Sequence, residues 1–382
     1  MRLDTHVILV SHQPTPNLTP ALDPEIKPAN VVMLVSPDMR QRADWLADVL
    51  RPRGIRVERY ELPDAHDVED LRARLLDLAA ERAGEAIALN VTGGTKLMAL
   101  AAYEAFLLAD KPIFYVHPDR DRLILLHPRG LLERDLADRV RLDPFLQAHG
   151  ARLAERPAGY GMPANLRSLA GVLVRDVERH ANALASLNWA AMKAEAAGSL
   201  VSPELDGLVV RDGFREFLAG FEAEGVLTVR SGRLHFASPE ARCFANGGWL
   251  EQHAYALVQD LKSSHPGIQD LGRGLEVERG AAGREIRNEL DVAFLANNRL
   301  HVIECKTRLF SDDTGRGGAG AEALYKLDAL ANLLGGLQAR AMLVSYQPLK
   351  PAVLDRARDC RIATCAHLEL PNLGEHLRRW LA

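Results

Sequence analysis

Two short apolar segments in the last third of the chain carry acidic side chains, and the second also carries a lysine. The first reads Asn-Glu-Leu-Asp-Val and contains Glu289 and Asp291; the second reads Ile-Glu-Cys-Lys-Thr and contains Glu304 and Lys306. Because side chains alternate faces along a β-strand, each pair shares one face of its strand. A short turn between the strands would bring Asp291 close to Glu304, so carboxylates and one amine would meet at the end of a sheet.

The apolar flanks of these segments decide what the carboxylates can do. Charged residues on a hairpin usually form a solvated face with a surface ion pair. Here the neighbours, Leu-Asp-Val-Ala-Phe-Leu and His-Val-Ile-Glu-Cys, are too apolar for an exposed hairpin. Carboxylates in buried strands need a positive partner, which is usually a bound cation. Oxygen ligands without clustered histidines favour Mg²⁺ or Mn²⁺ over zinc, so we predict a magnesium or manganese site.

Hydrophobic periodicity predicts the elements that position this site. One helix precedes the two strands, and a glycine-rich stretch over 311–320 separates them from a second helix. Further strands and a helix complete an α/β unit. The predicted elements lie at 249–263, 289–295, 300–307, 321–334, 341–346, 353–358 and 362–366.

Asp291 followed by Glu304-Cys-Lys306 resembles the pattern of the PD-(D/E)xK nuclease superfamily. Glu251, on the preceding predicted helix, matches the glutamate that the superfamily often adds, whereas the proline of the family name is absent. The resemblance implies a C-terminal restriction-endonuclease-like α/β domain that hydrolyses phosphodiesters with a divalent metal. It implies that Lys306 orients or deprotonates the attacking water, with Glu289 as a further catalytic candidate. The implied metal ligands are Glu251, Asp291, Glu304 and the Cys305 carbonyl.

In the first third of the chain, short apolar runs alternate with helix-like segments. This alternation predicts a mostly parallel, Rossmann-like sheet with helices on both faces. Ligands of such sheets bind beyond the carboxyl ends of the strands, where the loops Ser11–Asn17 and Thr92–Lys96 are informative. The predicted strands are 7–10, 31–35, 87–91 and 113–116, and the predicted helices are 41–50, 68–82 and 96–109.

The second of these loops, Thr-Gly-Gly-Thr-Lys, has the composition of a phosphate-binding turn. Gly93 and Gly94 allow the backbone to approach a ligand closely, and amides at a helix start beside Lys96 suit an anion. By itself, a Gly-Gly turn before a helix is usually only a turn. The loop matches neither GxxxxGK[ST] nor GxGxxG, so ATP hydrolysis is not implied.

Together with the first loop, this segment resembles a CARF domain, the CRISPR-associated Rossmann fold. A CARF domain joined to a PD-(D/E)xK domain is similar to the cyclic-oligoadenylate-activated nucleases of type III CRISPR defence. The resemblance implies a homodimer that binds one cyclic ligand, here cyclic tetra-adenylate, across its two-fold axis. It also implies cutting of DNA and/or RNA with little sequence preference. The residues assigned to the cyclic oligoadenylate are Ser11, His12, Gln13, Pro14, Thr15, Asn17, Ser36, Asn90, Thr92, Gly93, Gly94, Thr95 and Lys96.

The length of the chain favours two or three domains. After an irregular stretch rich in proline and glycine, two or three helices lead into a hairpin at Ser231–Gly232, a small α+β, winged-helix-like segment. We interpret it as a spacer between sensor and nuclease, because a DNA-reading helix would carry clustered basic residues and none stands out. The predicted parts are a CARF-like domain at 1–150, a linker at 151–163, the spacer at 164–246 and the nuclease domain at 247–382.

The bulk composition sets limits on partners and compartment. The formal net charge is −4, so nucleic-acid binding must rest on a local patch. The four cysteines form no CxxC pair and are interpreted as reduced thiols. No stretch suits a bilayer span, and the first apolar run is too short for a signal-peptide core. We therefore expect a cytoplasmic protein without a membrane partner.

Two alternative functions stay open. A constitutive restriction or repair nuclease would use its N-terminal domain only to dimerise or to find its target, and the paired loops argue against this. A CARF-type, ligand-responsive transcription regulator would use the middle segment as a winged helix. The set Asp291, Glu304 and Lys306 argues against the regulator, because a pure binding protein has no use for those buried charges.

Overall fold

Two large sheets of different topology, each flanked by helices, organise the chain. The predicted α/β fold class is confirmed. The computed structural model describes residues 3–62, 67–128, 133–155, 162–205, 207, 212–280, 284–308 and 318–381.

The N-terminal sheet has seven strands, and its central ones are the apolar runs of the sequence. Its strands are β1 (Thr5–Leu9), β2 (Asn30–Val35), β3 (Arg56–Glu61), β4 (Ile87–Asn90), β5 (Ile113–His117), β6 (Arg122–His127) and β7 (Arg134–Asp135). Its helices are α1 (Thr15–Leu22), α2 (Arg40–Leu50), α3 (Val68–Glu81), α4 (Lys96–Leu108) and α5 (Leu142–Ala148). The four predicted strands and three predicted helices are confirmed to within two residues at each end.

The strand order, β3-β2-β1-β4-β5-β6-β7, places β1 and β4 side by side at the centre. Strands β1 to β5 are parallel, whereas β6 and β7 are antiparallel. The chain progresses outward in one direction from β1 to β3 and in the other from β4 to β5. The loops after β1 and β4 therefore meet at a topological switch point, where ligands of open α/β sheets bind.

Five elements of this domain were not predicted: β3, β6, β7, α1 and α5. Strand β3 is a polar edge strand with alternating exposed residues, so it lacks the apolar run that identified its neighbours. Helix α1 begins at Thr15, inside the loop predicted over Ser11–Asn17. Pro16 is compatible with this helix because the first turn leaves its backbone N–H groups unpaired in any case.

The C-terminal domain is built on a six-stranded sheet of order β15-β14-β13-β12-β11-β8. Its strands are β8 (Ala151–Glu155), β11 (Ile268–Arg279), β12 (Ile286–Ala296), β13 (Arg299–Lys306), β14 (Arg340–Ser345) and β15 (Ala363–Ala366). Its helices are α10 (Trp249–Lys262), α11 (Gly318–Gly335), α12 (Pro351–Asp359) and α13 (Leu373–Leu381). The elements predicted here are all present, whereas β11 and α13 were not predicted.

Strand β8 lies in the segment that we expected to be a linker. Residues 151–155 pair antiparallel with β11 and become the edge of the C-terminal sheet. This short stretch has no strand pattern of its own, and its partner lies far along the chain. Residues 156–161 of the expected linker lie outside the described residues. Most of the glycine-rich stretch predicted at 311–320 also falls outside them.

The middle segment has the predicted order of helices followed by a hairpin. Helices α6 (Ala164–Arg175), α7 (Val177–Ala196) and α8 (Asp212–Ala223) precede β9 (Leu227–Arg230) and β10 (Arg233–Phe236). A short helix α9 (Pro239–Cys243) then leads towards α10. The predicted hairpin turn is confirmed: Ser231 and Gly232 have φ values of 48° and 69°, as such two-residue turns require.

The middle segment does not separate the N-terminal domain from the C-terminal domain, and this part of our expectation was wrong. Ile8 and Leu46 of the N-terminal domain share one continuous apolar core with Leu275 and Leu324 of the C-terminal domain. The middle segment packs on the other side, where its helices join a second core with Trp249 and the β12–β13 face. Each domain has an apolar face that its own helices and strands do not cover. The two faces pack against each other, which removes both from water.

None of the helices in the described part of the chain is long and apolar enough to cross a bilayer.

Candidate nuclease centre and ligand loops

Two of the acidic residues predicted for catalysis, Asp291 and Glu304, lie where β12 and β13 run side by side. These strands are antiparallel, with Val292 opposite Ile303, so the next pair outward is Asp291 and Glu304. The Asp291 Oδ2 accepts a hydrogen bond of 2.7 Å from the Cys305 backbone N–H. This bond holds the carboxylate against the neighbouring strand, beside Glu304.

Lys306 lies on the same face of β13 as Glu304, and its Nζ is 2.5 Å from Glu304 Oε1. Burial lowers the pKa of Lys306, but the charges of Glu304 and Asp291 raise it by more, so the amine stays protonated. The lysine side chain keeps 36% of its surface exposed. It can therefore reach a bound substrate while remaining in the cluster.

Glu251 reaches the two strands from the first turn of α10. The turn before this helix depends on Gly247, whose φ is 110°, and a Cβ there would collide with the Thr307 Oγ1. Thr307 directly follows Lys306 in the sequence. The glycine therefore allows the start of α10 to pack against the end of β13.

Burial and like charges disturb the ionisation of two of the carboxylates. Burial, with the nearby charges of Asp291 and Glu289, raises the pKa of Glu251 to about 8. Burial, with the charge of Glu304, raises the pKa of Asp291 to about 7. Carboxylates that resist losing their protons are in surroundings short of positive charge. A divalent cation would supply that charge.

Within the described ranges, no three His, Cys, Asp or Glu side chains stand in an arrangement that could hold a metal ion. In this arrangement the Lys306 Nζ pairs with an oxygen of Glu304. The donors nevertheless suit Mg²⁺ or Mn²⁺, because they are carboxylate oxygens with an excess of negative charge.

Two neighbours modify the cluster. Glu289 is exposed, so it lies at the rim and acts on the other carboxylates through its charge. Arg273 on β11 is a half-buried cation that the sequence analysis missed, and its charge lowers the pKa of Glu251. Two glycines interrupt the apolar pattern of β11, so no periodic signal predicted this strand or its arginine.

We expect Gly247→Ala to destabilise the chain by about 3 kcal/mol, because a positive φ and a steric collision both oppose an added methyl group. Nuclease activity should fall as well, since Glu251 would move away from β13. Thermal unfolding measures the first effect. The matched control is Gly171→Ala on α6, where an added Cβ meets nothing within 4 Å. Equal melting temperatures for the two variants would contradict this role for Gly247.

The two predicted ligand loops lie side by side at the switch point of the N-terminal sheet. The buried Asn90 at the end of β4 donates from Nδ2 to the Pro16 carbonyl at 2.8 Å and to the Asn17 Oδ1 at 3.0 Å. Asn17 in turn donates to the Leu9 carbonyl at 2.9 Å. These bonds tie the loops together, so we interpret Asn17 and Asn90 as supports that do not face the ligand.

Ser36 and Thr92 also make internal hydrogen bonds. The buried Ser36 donates to the Asp38 Oδ1 at 2.6 Å. The Thr92 hydroxyl donates to the Asn90 Oδ1 at 2.6 Å and accepts from the Val116 N–H at 2.7 Å. Thr92 thereby joins the second loop to the end of β5.

The glycines of the second loop are required by its path. Gly93 passes so close to β1 that a Cβ would collide with the Leu9 carbonyl oxygen. Gly94 has a φ of 72°. Thr95 then caps α4, because its Oγ1 accepts from the Met98 N–H at 3.2 Å. The loop thus ends at a helix N-terminus, which favours an anion.

The loop residues differ in how much surface they offer a ligand. His12, Thr95 and Lys96 are exposed. The Gln13 Oε1 accepts from the Leu337 N–H at 3.1 Å, so the first loop also contacts the C-terminal domain. Pro14 and Gly93 are buried, and the half-buried members are Ser11, Gln13, Thr15, Thr92 and Gly94.

Family models match both ends of the chain. Residues 5–143 match the model described as the Card1 CARF domain, and residues 238–382 match the model described as Card1-like, endonuclease domain. No curated protein matches the chain.

Solved structures resemble the chain over its whole length. The crystal structure of protein VC1899 from Vibrio cholerae has a TM-score of 0.90 and 32% identity, covering 99% of this chain and 97% of that one. Can2 from Sulfobacillus thermosulfidooxidans, in complex with cyclic tetra-adenylate, has a TM-score of 0.80 and 26% identity, covering 100% of this chain and 97% of that one. A type III CRISPR defence DNA nuclease activated by cyclic oligoadenylate is 23% identical and covers 91% of this chain and 47% of that one, with a TM-score of 0.57. This last likeness shows the fold alone.

Proposed function

This chain belongs to the Card1-like CARF endonucleases, and from that membership we propose that it is a metal-dependent nuclease activated by a cyclic oligoadenylate in type III CRISPR defence. The observation that carries the proposal is that one chain holds both a carboxylate–lysine cluster on β12 and β13 and a pair of linked loops at a sheet's switch point. The similarity to Can2, solved with cyclic tetra-adenylate, supports that molecule as the activator.

We place the activator across the exposed edge of the two loops. The amides at the start of α4 and the side chain of Lys96 would meet phosphates, since both offer positive charge to an anion. The first loop, Ser11–Asn17, would meet the ribose and adenine edges. A cyclic tetra-adenylate has even symmetry, so two copies of the chain can each offer the same loops to half of it.

We propose a role for each side chain of the carboxylate–lysine cluster. Asp291, Glu304, Glu251 and the Cys305 carbonyl would hold Mg²⁺ or Mn²⁺, which lowers the pKa of a bound water and polarises the phosphate. Lys306 is protonated beside Glu304, so it orients the attacking water and offsets the negative charge that develops on the phosphate. The hydrogen bond from Cys305 keeps Asp291 in place.

Helix α4 supports the proposed homodimer. Leu97, Leu100, Leu107 and Leu108 are exposed on it, with Leu100 exposed over 65% of its surface. Such a cluster of exposed leucines is typical of an interface. Because α4 starts at the phosphate-binding loop, a second copy packed along this helix would bring both ligand loops to one axis.

We expect Leu100→Glu to convert a dimer into a monomer and to abolish activation, because a charge would be buried against a second copy. Size-exclusion chromatography with light scattering measures the oligomeric state. Leu368→Glu, at an equally exposed leucine of the C-terminal domain, is the matched control and should remain dimeric. A Leu100→Glu protein that is still a dimer would exclude α4 as the interface.

The proposed substrates are both DNA and RNA, with strands freed from duplex cut best. Attack by a water does not use the 2′-hydroxyl, so the chemistry itself excludes neither nucleic acid. Reading base edges in the major groove would need an inserted basic helix, and we found none in the sequence. We therefore propose little sequence preference.

The deciding experiment incubates the protein with Mn²⁺ and labelled single- and double-stranded DNA and RNA, with and without cyclic tetra- or hexa-adenylate. The proposal expects cleavage that requires Mn²⁺ and a cyclic oligoadenylate. Full cleavage without either cyclic ligand would favour a constitutive nuclease. Strict cutting at one short palindrome would favour a restriction enzyme.

A further inference from the structure

One residue of the turn that joins the two catalytic strands is buried against the N-terminal domain. We call β12, the Asn297–Asn298 turn and β13 the catalytic hairpin. At one end of this hairpin lie Asp291 and Glu304, and at the other end lies Asn298, of which only 1% is exposed. The two ends are roughly 20 Å apart along extended strands.

The side chain of Asn298 makes three hydrogen bonds, and two of them go to the N-terminal domain. Its Nδ2 donates to the Asp121 Oδ2 at 2.7 Å and to the Ala137 carbonyl at 3.4 Å. Its Oδ1 accepts from the Gln269 Nε2 at 2.7 Å, while the Gln269 Oε1 accepts from the Asn298 N–H at 2.7 Å. Gln269 also donates to the Val140 carbonyl at 3.1 Å.

Arg299, the next residue of the catalytic hairpin, also forms hydrogen bonds with the N-terminal domain. The Arg299 Nη2 donates to the Pro118 carbonyl at 3.3 Å and to the Asp119 carbonyl. Pro118, Asp119 and Asp121 all belong to the turn between β5 and β6. A single turn of the sensor therefore holds both residues at the start of β13.

The same turn is joined to the second ligand loop through β5. The Val116 N–H donates to the Thr92 hydroxyl at 2.7 Å, and Val116 is near the end of β5. Thr92 belongs to the loop that we propose to bind phosphate. A contiguous series of hydrogen bonds and backbone thus runs from Thr92, through the β5–β6 turn, to Asn298.

We propose that Asn298 is a positioning residue through which the state of the ligand loops sets the position of the catalytic hairpin. The inference rests on the proposed function and adds the route by which binding reaches the active site. A buried polar network in which every group is hydrogen-bonded has discrete arrangements. Breaking one bond would leave a buried polar group without a hydrogen-bond partner, which is costly. A shift of the β5–β6 turn is therefore passed to β13 as a whole, and with it to Glu304 and Lys306.

The backbone at Asn298 allows a clean test. Its φ is 54°, which glycine adopts without strain, so Asn298→Gly removes the side-chain bonds and keeps the turn. Asn297, with a φ of 48° and an exposed side chain, supplies the control Asn297→Gly in the same turn. On the sensor side, Asp121→Leu removes the acceptor, whereas Asp121→Asn retains one.

The first measurement is the activation ratio, which is the cleavage rate with saturating cyclic tetra-adenylate divided by the rate without it. The second is the affinity for the activator, measured once alone and once in the presence of Mn²⁺ and a non-cleavable DNA. In the wild type, occupancy of the nuclease site should tighten activator binding, because coupling is reciprocal. We expect Asn298→Gly and Asp121→Leu each to reduce the activation ratio about tenfold and to remove that tightening. Asn297→Gly and Asp121→Asn should behave like the wild type. The Asn298→Gly, Asp121→Leu double variant should lose no more than either single variant.

The outcomes separate this inference from the proposed function. If neither cyclic tetra-adenylate nor cyclic hexa-adenylate activates the wild type, the proposed function itself is wrong. If the activator stimulates the wild type and the Asn298→Gly variant to the same extent, the inference is overturned while the proposed function stands. If Asn298→Gly melts too low for assay, the Asp121→Leu and Asp121→Asn pair decides, and equal activation ratios for those two variants would also overturn it.

Discussion

Glu304→Gln is expected to reduce nucleic-acid cleavage by at least about 1,000-fold while leaving the fold and the binding of activator intact. Glu304 lies beside Asp291 and holds Lys306 at 2.5 Å. A neutral amide at this position would weaken the binding of a divalent cation and would release the lysine from its partner. Asp291→Ala and Lys306→Ala should cause losses of similar size, because the three side chains act as one unit.

The stability of the Glu304→Gln variant distinguishes a catalytic role from a structural one. Glu304 contributes to the like charge that raises the pKa of Asp291, so its removal relieves repulsion in the metal-free protein. The melting temperature without metal should therefore stay the same or rise, whereas the increase caused by added Mn²⁺ should shrink. Glu375→Gln, an exposed glutamate paired with Arg378, is the control and should cut normally. An undiminished cleavage rate in Glu304→Gln would show that the active site is assigned wrongly.

Lys96→Ala is expected to raise the activator concentration needed for half-maximal cleavage by about 10- to 100-fold, which is the usual effect of losing one charged hydrogen bond. Lys96 is exposed at the first position of α4, directly after the Gly93–Gly94 turn. It is the cation of the second ligand loop, and the phosphates of a cyclic oligoadenylate carry the complementary charge. Isothermal titration of cyclic tetra-adenylate measures the loss of affinity directly.

Two features keep the Lys96 experiment specific. Lys96 lies in the N-terminal domain, so at saturating activator the maximal cleavage rate and the dependence on Mn²⁺ should match the wild type. Lys27→Ala is the control, because Lys27 is an exposed lysine that lies before β2, at the opposite end of the sheet from the ligand loops. If the Lys96→Ala protein binds the activator with wild-type affinity, the second loop is not part of the ligand site.

Activation through these loops requires two arrangements of the protein that differ in affinity for the activator. The shared core between the domains excludes a flexible tether as the connection, since Ile8 and Leu324 belong to one packed cluster. Movement therefore has to pass through packed side chains and hydrogen bonds, or through the relative position of two copies of the chain. The Asn298 network and the proposed α4 interface are the places where these two kinds of movement can be tested separately.

The sequence alone determined the features that depend on local pattern. Apolar runs of four or five residues identified β1, β2, β4 and β5, because strands buried on both faces carry such runs. The alternation of side chains predicted that Glu304 and Lys306 share a face, and the short turn after Ala296 predicted that Asp291 lies beside them. Glycines before α4 predicted a close approach of the backbone to a ligand; what the structure shows is that Gly93 passes close to the Leu9 carbonyl oxygen of β1.

Only the tertiary structure decided which distant segments meet. Strand β8 has no strand pattern, and it exists because β11, more than a hundred residues later, completes its hydrogen bonds. The two ligand loops lie together because the strand order reverses between β1 and β4. Asn298 and Asp121 are 177 residues apart in sequence, and their bond forms only because the domains share a core. Periodicity and turn composition are properties of neighbouring residues, whereas pairing and burial depend on contacts across the whole fold, which no local pattern contains.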